Sequence, residues 1–169
     1  KYKSLAPYNI EGFIKLTQEE MTYPQPLKTK FGIFNFFTKY SGIRQLYFEK
    51  SYNGQVWTDD ELLAAIPNQA GEKSGHYQVS SNYKGEKVGT FFNRHPNGIV
   101  DKRTDLYYME SSDFGKTWTK QYEDIDFDAR LLSIHMFENG EGIAIGAFAL
   151  SLRTTDGGNS WGYLFMDDD

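Results

Sequence analysis

The sequence predicts an all-β fold of the β-propeller class, a partial propeller of three to four blades, on three observations. First, the run Ser111-Ser112-Asp113-Phe114-Gly115-Lys116-Thr117-Trp118 returns as Thr154-Thr155-Asp156-Gly157-Gly158-Asn159-Ser160-Trp161, and both read S/T-x-D-x-G-x-S/T-W. Second, Trp118 and Trp161 stand 43 residues apart, a length that suits one four-stranded blade. Third, aromatic residues make up 17% of the chain and Gly occurs 16 times, with no long helical period. Aromatic side chains suit pleated, half-buried strands, and glycine suits the tight turns between them.

Taken in chain order, residues 1–30 read as the tail of a preceding blade (1–21) and a loop carrying Pro24 and Pro26. A first blade over about 22–60 has strands at 31–38 and 43–50 and another starting near Val56. The clearest candidate for a helical turn is 59–66. Within this blade, Lys50-Ser51-Tyr52-Asn53-Gly54-Gln55-Val56-Trp57 keeps the Gly and Trp of the repeated motif but has Tyr52 where Asp belongs, a worn copy. Its Trp57 precedes Trp118 by 61 residues, which calls for a longer connection. A second blade over 75–122 has strands at 76–81, 87–93, 105–110 and 117–122, and a third over 130–165 has strands at 130–137, 142–146, 149–154 and 160–165. The end at 165–169 reads as falling inside a module, so the chain is one propeller domain or a fragment of one.

Antiparallel order assigns sides to these loops. In a blade with strands a to d, the c–d turns share a rim with the a–b turns, and the b–c connections lie on the other rim. The repeated motif is a c–d turn. The long b–c loop of the second blade runs from Arg94 through His95 to Arg103, and His76 and Tyr77 open strand a at that same rim. The Tyr40-Ser41-Gly42 turn of the first blade belongs there too. Loops on a rigid scaffold are where binding usually resides.

Bulk properties narrow the field. A net charge of −5 argues against a general nucleic-acid binder, and no apolar run is long enough to span a membrane as a helix. The charge is uneven: Lys84, Lys87, Arg94, Lys102 and Arg103 against Glu86 and Asp101 give a local +3, with −8 on the remainder. A basic island in an acidic chain attracts anions. Zero Cys excludes disulfides and thiolate metal sites, and the two-histidine pair His76/His95 lacks a third ligand, so neither metal nor cofactor is expected. The chain opens at Lys1 without Met and shows no signal peptide.

The repeated motif is the Asp-box of sialidase-like propellers. Its Asp accepts backbone N–H bonds inside a tight turn, its Gly tolerates positive φ, its hydroxyl braces the turn and its Trp buries a large ring. Ser111, Asp113, Gly115, Trp118, Thr154, Asp156, Gly158 and Trp161 are therefore structural candidates. The stretch from Tyr23 to Trp118 resembles the BNR-repeat family that includes ulvan-lyase-like polysaccharide lyases. The residues carrying this include Tyr23-Pro24-Gln25-Pro26, Gly75-His76-Tyr77-Gln78-Val79-Ser80, His95-Pro96 and Asp101-Lys102-Arg103-Thr104-Asp105-Leu106-Tyr107-Tyr108. That resemblance implies a seven-bladed propeller cleaving a uronate-containing polysaccharide by β-elimination, in an extracellular or periplasmic setting. Gly142-Ile143-Ala144-Ile145-Gly146-Ala147-Phe148 and Leu152-Arg153-Thr154-Thr155-Asp156-Gly157-Gly158 instead resemble the photosystem II assembly-factor type of propeller, which implies a scaffold.

β-Elimination needs a group to neutralise the carboxylate, a base for the C5 proton and an acid for the leaving oxygen. Arg94 or Arg103 can neutralise, His76 or His95 can act as base, and Tyr77 or Tyr107 can donate, with Arg103, Tyr40 and Tyr107 as substrate-binding candidates. Each has a structural alternative: His76 as a packing residue, His95 bracing the loop before Pro96, Arg103 paired with Asp101 or Asp105, and at least one of Tyr107 and Tyr108 in the core. His135 lies in an apolar strand and reads as structural. No phosphate-binding loop and no nucleophile elbow occur, and five scattered arginines do not make a sialidase cluster. The leading expectation is a carbohydrate-active module that binds, and by β-elimination cleaves, an acidic polysaccharide or glycan. The alternative is a non-enzymatic scaffold for a protein partner.

Overall fold

The computed structural model describes residues 1–17, 20–64, 75–99, 102–124 and 131–164. Three four-stranded antiparallel sheets follow one another along the chain, after a two-stranded hairpin of β1 (Tyr2–Ser4) and β2 (Phe13–Lys15). The first blade is β3 (Thr22–Lys28), β4 (Ile33–Tyr40), β5 (Arg44–Ser51) and β6 (Glu61–Ala64). The second is β7 (Gly75–Lys84), β8 (Lys87–His95), β9 (Thr104–Ser111) and β10 (Thr119–Asp124). The third is β11 (Leu131–Met136), β12 (Gly142–Gly146), β13 (Ser151–Thr154) and β14 (Gly162–Tyr163). Spatial order equals chain order in every sheet, so each blade is a meander and the molecule is an arc of a propeller.

Three expectations are corrected. The Pro24–Pro26 segment is not a loop but β3, the outermost strand in its sheet and the partner of β4 alone. A strand with one neighbour tolerates Pro, because an N–H turned away from the ladder has no bond to lose. The expected helical turn at 59–66 is instead strand β6 over Glu61–Ala64. β6 pairs Leu62 with Tyr47 and Glu61 with Phe48, and it buries Leu63 and Ala64. Cross-strand pairing and burial override a weak local helix preference; Ala65 and Ile66 lie outside the described residues. The strand expected near Val56 starts later, at Glu61, since Val56 is exposed and closes the bend that follows β5. The expected strand ends at Arg130 and Phe165 also lie outside the described residues.

The blades adhere through aromatic faces. Phe34 and Phe36 of β4 and Phe48 of β5 are fully or almost fully buried against Val88, Phe92 and Tyr107 of the second blade. Trp118 stands edge-on to Phe48 at 5.3 Å and to Phe36 at 5.8 Å. On the opposite face of the second blade, Phe91, Leu106 and Tyr108 meet Leu131, Ile134, Ala144, Leu152 and Trp161 of the third. Tyr107 and Tyr108 are thus both core, in different clusters. His135 is exposed on the third blade, its ring 4.8 Å from Phe137. Behind the first blade, Lys1 ion-pairs with the buried Glu49, which also accepts from Asn35 Nδ2 at 2.7 Å.

The Asp-boxes are c–d turns, as the motif predicts. Gly115 N–H donates to Ser111 Oγ at 2.9 Å, Lys116 and Thr117 N–H donate to Asp113 Oδ1 at 3.0 Å, and Thr117 Oγ1 donates to Asp113 Oδ2 at 2.6 Å. In the third blade, Gly158 N–H reaches Thr154 Oγ1 at 3.0 Å, and Ser160 N–H reaches Asp156 Oδ1 at 2.9 Å. The hydroxyls of Thr117 and Ser160 do most to hold Asp113 and Asp156 well below the usual carboxylate range. The worn copy differs from expectation: Asn53, not Tyr52, takes the Asp position. Its Oδ1 accepts from Gln55 N–H at 2.8 Å and Val56 N–H at 3.0 Å, while Gly54 N–H donates to Ser51 Oγ at 2.8 Å. This box is one residue shorter, which hides the equivalence from a gapless reading.

Candidate functional site

The b–c rim opposite the Asp-boxes gathers a cationic and aromatic cluster. Its centre is Tyr77, at the start of β7 and buried. Arg44, at the start of β5 in the neighbouring blade, donates from Nη1 to Tyr77 Oη at 2.5 Å. Arg103 lies with its guanidinium carbon 3.6 Å over the centre of the Tyr77 ring, a cation–π contact. His95, at the end of β8, meets Tyr77 edge-on at 4.9 Å, and Tyr23 approaches the same ring at 5.6 Å. Among the described residues no carboxylate pairs with Arg44.

Local backbone explains how these residues converge. Pro96 closes β8 and opens a single 3-10 turn, Pro96–Gly98, in which Asn97 takes φ +54°. Ile99 N–H returns to the Pro96 carbonyl at 3.0 Å and Lys102 N–H to that of Ile99 at 3.1 Å, which folds the loop back and delivers Arg103 to Tyr77. Val100 and Asp101 lie outside the described residues. Gly75 sits directly on the backbone of Arg44: a Cβ there would meet the Arg44 carbonyl oxygen at 2.3 Å. The blade-to-blade approach that brings Arg44 to Tyr77 therefore depends on this glycine. Beside Arg44, a cleft of about 250 Å³ is lined by Glu20, Thr22, Thr38, Lys39 and Tyr40.

The remaining sequence-named residues fall on the other side of the blade. His76 is paired across the strands with Arg94 and Gly75 with His95, so the two imidazoles leave the strand pair on opposite faces. His76 lies edge-on to Phe92 at 5.6 Å, and burial pushes its pKa down to about 4. Arg94 is committed to Asp105, with Nη1 3.3 Å from Oδ2, and Tyr107 Oη donates to the same oxygen at 3.2 Å. Burial, reinforced by Asp105, raises the Tyr107 phenol. Of the two partners expected for Arg103, Asp105 pairs with Arg94 and Asp101 lies outside the described residues; Asp105 is held at φ +53° where β9 shifts register against β8.

The basic island also divides. Lys84 and Lys87 stand at the a–b turn on the Asp-box rim, where Lys84 Nζ donates to the Phe137 carbonyl and Lys87 pairs with Glu110 at 2.8 Å. Arg94, Lys102 and Arg103 lie at the b–c end of the blade. Of the catalytic and binding candidates, Tyr77, His95 and Arg103 come together, Tyr40 lines the adjoining cleft, and His76, Arg94 and Tyr107 stand apart. Arg44 and Tyr23 are missed by sequence reasoning, although Arg44 follows the Tyr40-Ser41-Gly42 turn already assigned to this rim. Among the described residues, no group of three His, Asp or Glu is placed to hold a metal ion, and no helix is long and apolar enough to cross a membrane.

Residues 88–169 match the family model described as "Photosynthesis system II assembly factor YCF48". The match covers just under half of the chain and includes both Asp-box turns, and the fold is a β-propeller arc. A solved structure described as "YCF48 bound to D1 peptide" aligns with a TM-score of 0.45 and 15% identity over 77% of this chain and 36% of that one, so the match spans about a third of that structure's length. Comparison with curated proteins finds no match. In this propeller the Asp-boxes are bound up in their own turns and in blade packing, which leaves the b–c rim as the place where polar groups converge around one ring.

Proposed function

We propose that this propeller is a non-enzymatic interaction module that holds an acidic segment of a protein partner on its b–c rim. The observation that carries the reading is the convergence of Arg44 and Arg103 on Tyr77, with His95 beside them. Guanidinium groups suit carboxylates because their planar forks match them bidentately. The aromatic floor adds apolar contact at low conformational cost, as Tyr and Arg do at interface hot spots. The assembly-factor family match over 88–169 supports the same reading.

A β-eliminating enzyme asks for a base, a neutralising cation and an acid around one sugar ring. Of the candidates for these roles His95, Arg103 and Tyr77 stand together, but Tyr77 is buried and its oxygen already accepts from Arg44, while His76 leaves the blade on the other face and Arg94 is paired with Asp105. The test is fluorescence anisotropy of a labelled, amidated hexaglutamate peptide against the wild type, Arg44→Ala and Arg103→Ala. Binding is expected to weaken with salt and to fall about tenfold or more in each variant, the loss of a charged hydrogen bond worth about 1.5–3 kcal/mol. Equal affinity in all three proteins rejects the rim. Release of an unsaturated uronate from a polyuronate by the wild type, lost in His95→Ala, would restore the lyase reading.

A further inference from the structure

Three potential cations face one phenol at the rim, and they are not alike. Arg44 reaches Tyr77 from β5 and Arg103 from the b–c loop, both permanently charged. His95 reaches it from the end of β8 and is titratable. His95 is 5% exposed, and its Nε2 has no hydrogen-bond partner among the described residues. A buried imidazole nitrogen left without a partner is a costly arrangement unless a bound group completes it. Among the described residues, the titratable side chains beside these three are Tyr23 on β3 and, across the adjoining cleft, Glu20, Lys39 and Tyr40.

Resting on the acidic-segment reading, we infer that a carboxylate seated beside Arg44 and Arg103 enters together with a proton on His95, so that three cations surround the bound group. The electrostatics supply the coupling. Burial, then Arg103, then Arg44 hold the His95 pKa below its ordinary value, and a backbone hydrogen bond with Ile99 opposes them only in part. An anion placed among these groups cancels the repulsion and offers Nε2–H an acceptor, so it raises that pKa. By linkage, whatever raises proton affinity on binding is itself bound more tightly as protons become available. Affinity therefore rises as pH falls through the window between the lowered and the restored His95 value. The slope reaches at most about tenfold per pH unit, the limit for one proton. Below about pH 4.3 the Glu side chains of a ligand protonate and the gain reverses.

The experiment is isothermal titration of hexaglutamate into the whole chain at pH 6.5, in two buffers of different ionisation enthalpy. It is repeated with His95→Gln and with trigalacturonate as ligand. In parallel, the imidazole resonances of the wild type are followed by NMR through a pH titration with and without peptide, so the answer does not depend on a variant that fails to fold. The expected result is net proton uptake by the wild type, none by His95→Gln, and an upward shift of the His95 titration when peptide is present. Peptide binding without proton uptake and without movement of His95 overturns the inference and leaves the interface standing. No peptide binding at all removes both, and tighter binding of trigalacturonate than of peptide assigns the same rim to a sugar chain.

Discussion

At the scale of single residues, His76 couples folding to pH. Its pKa is about 4 in the fold against an ordinary value of 6.5, because burial disfavours the charged ring. The fold therefore favours the neutral form. Its contribution is fully present above the unfolded value and is lost as pH falls from about 6.5 towards 4, up to about 3 kcal/mol. Burial, then Arg103 and Arg44, shift His95 in the same direction. Asp113 and Asp156 do not titrate in this window, since their carboxylates stay ionised far below the usual range and are titrated only in stronger acid. Replacing His76 by Phe removes the titration and an Nδ1 without a partner among the described residues, while keeping an edge-on ring against Phe92. Urea unfolding at pH 7.5 and pH 4.5 should show a smaller acid penalty for His76→Phe than for the wild type, by up to about 3 kcal/mol. Equal penalties would mean that His76 is charged in the fold.

At the scale of elements, the Asp-box glycines separate strain from packing. Gly115 has φ +75°, and a Cβ there would meet Phe34 Cε1 at 2.9 Å and Phe48 Cε2 at 3.1 Å. Gly42, in the b–c turn, has φ +81° with nothing within 4 Å. Gly42→Ala should therefore cost the backbone term alone, about 1 kcal/mol. Gly115→Ala should cost that term plus displaced rings, about 2–4 kcal/mol. Thermal unfolding of the two variants checks this, and equal losses would show that the box does not press on the first blade. The boxes were legible in the sequence because hydroxyl, carboxylate and glycine act on one another within five residues. β3 and β6 were not, because their conformation is imposed by β4 and β5 rather than by their own residues. The site shows the same division. Tyr77, His95 and Arg103 belong to one blade and follow from strand order. Arg44 joins them from 33 residues upstream of Tyr77, through a contact between blades that only Gly75 permits.

At the scale of the whole molecule, the second blade carries both interfaces on consecutive residues. Phe92 packs towards the first blade with Tyr107, and its neighbour Phe91 packs towards the third with Tyr108 and Trp161. Strand alternation makes this possible, since adjacent residues leave a sheet on opposite sides. Phe91→Ala and Phe92→Ala should each cost about 3–5 kcal/mol, as truncation of a buried aromatic leaves a cavity. Their spatial signatures should differ. In an arc whose blades touch mainly their neighbours, loss of one interface loosens the blade beyond it first, as in other stacked repeats. Native-state hydrogen exchange on Phe92→Ala should then show faster exchange in β4 and β5, with β12 and β13 still protected. Phe91→Ala should show the reverse. Arg44 sits on the first-blade side of this division and Tyr77 on the second-blade side, so Phe92→Ala should also weaken hexaglutamate binding while Phe91→Ala leaves it nearly unchanged. Uniform loss of protection in both variants would instead show that the blades unfold as one cooperative unit, with the rim site tied to the stability of the whole arc.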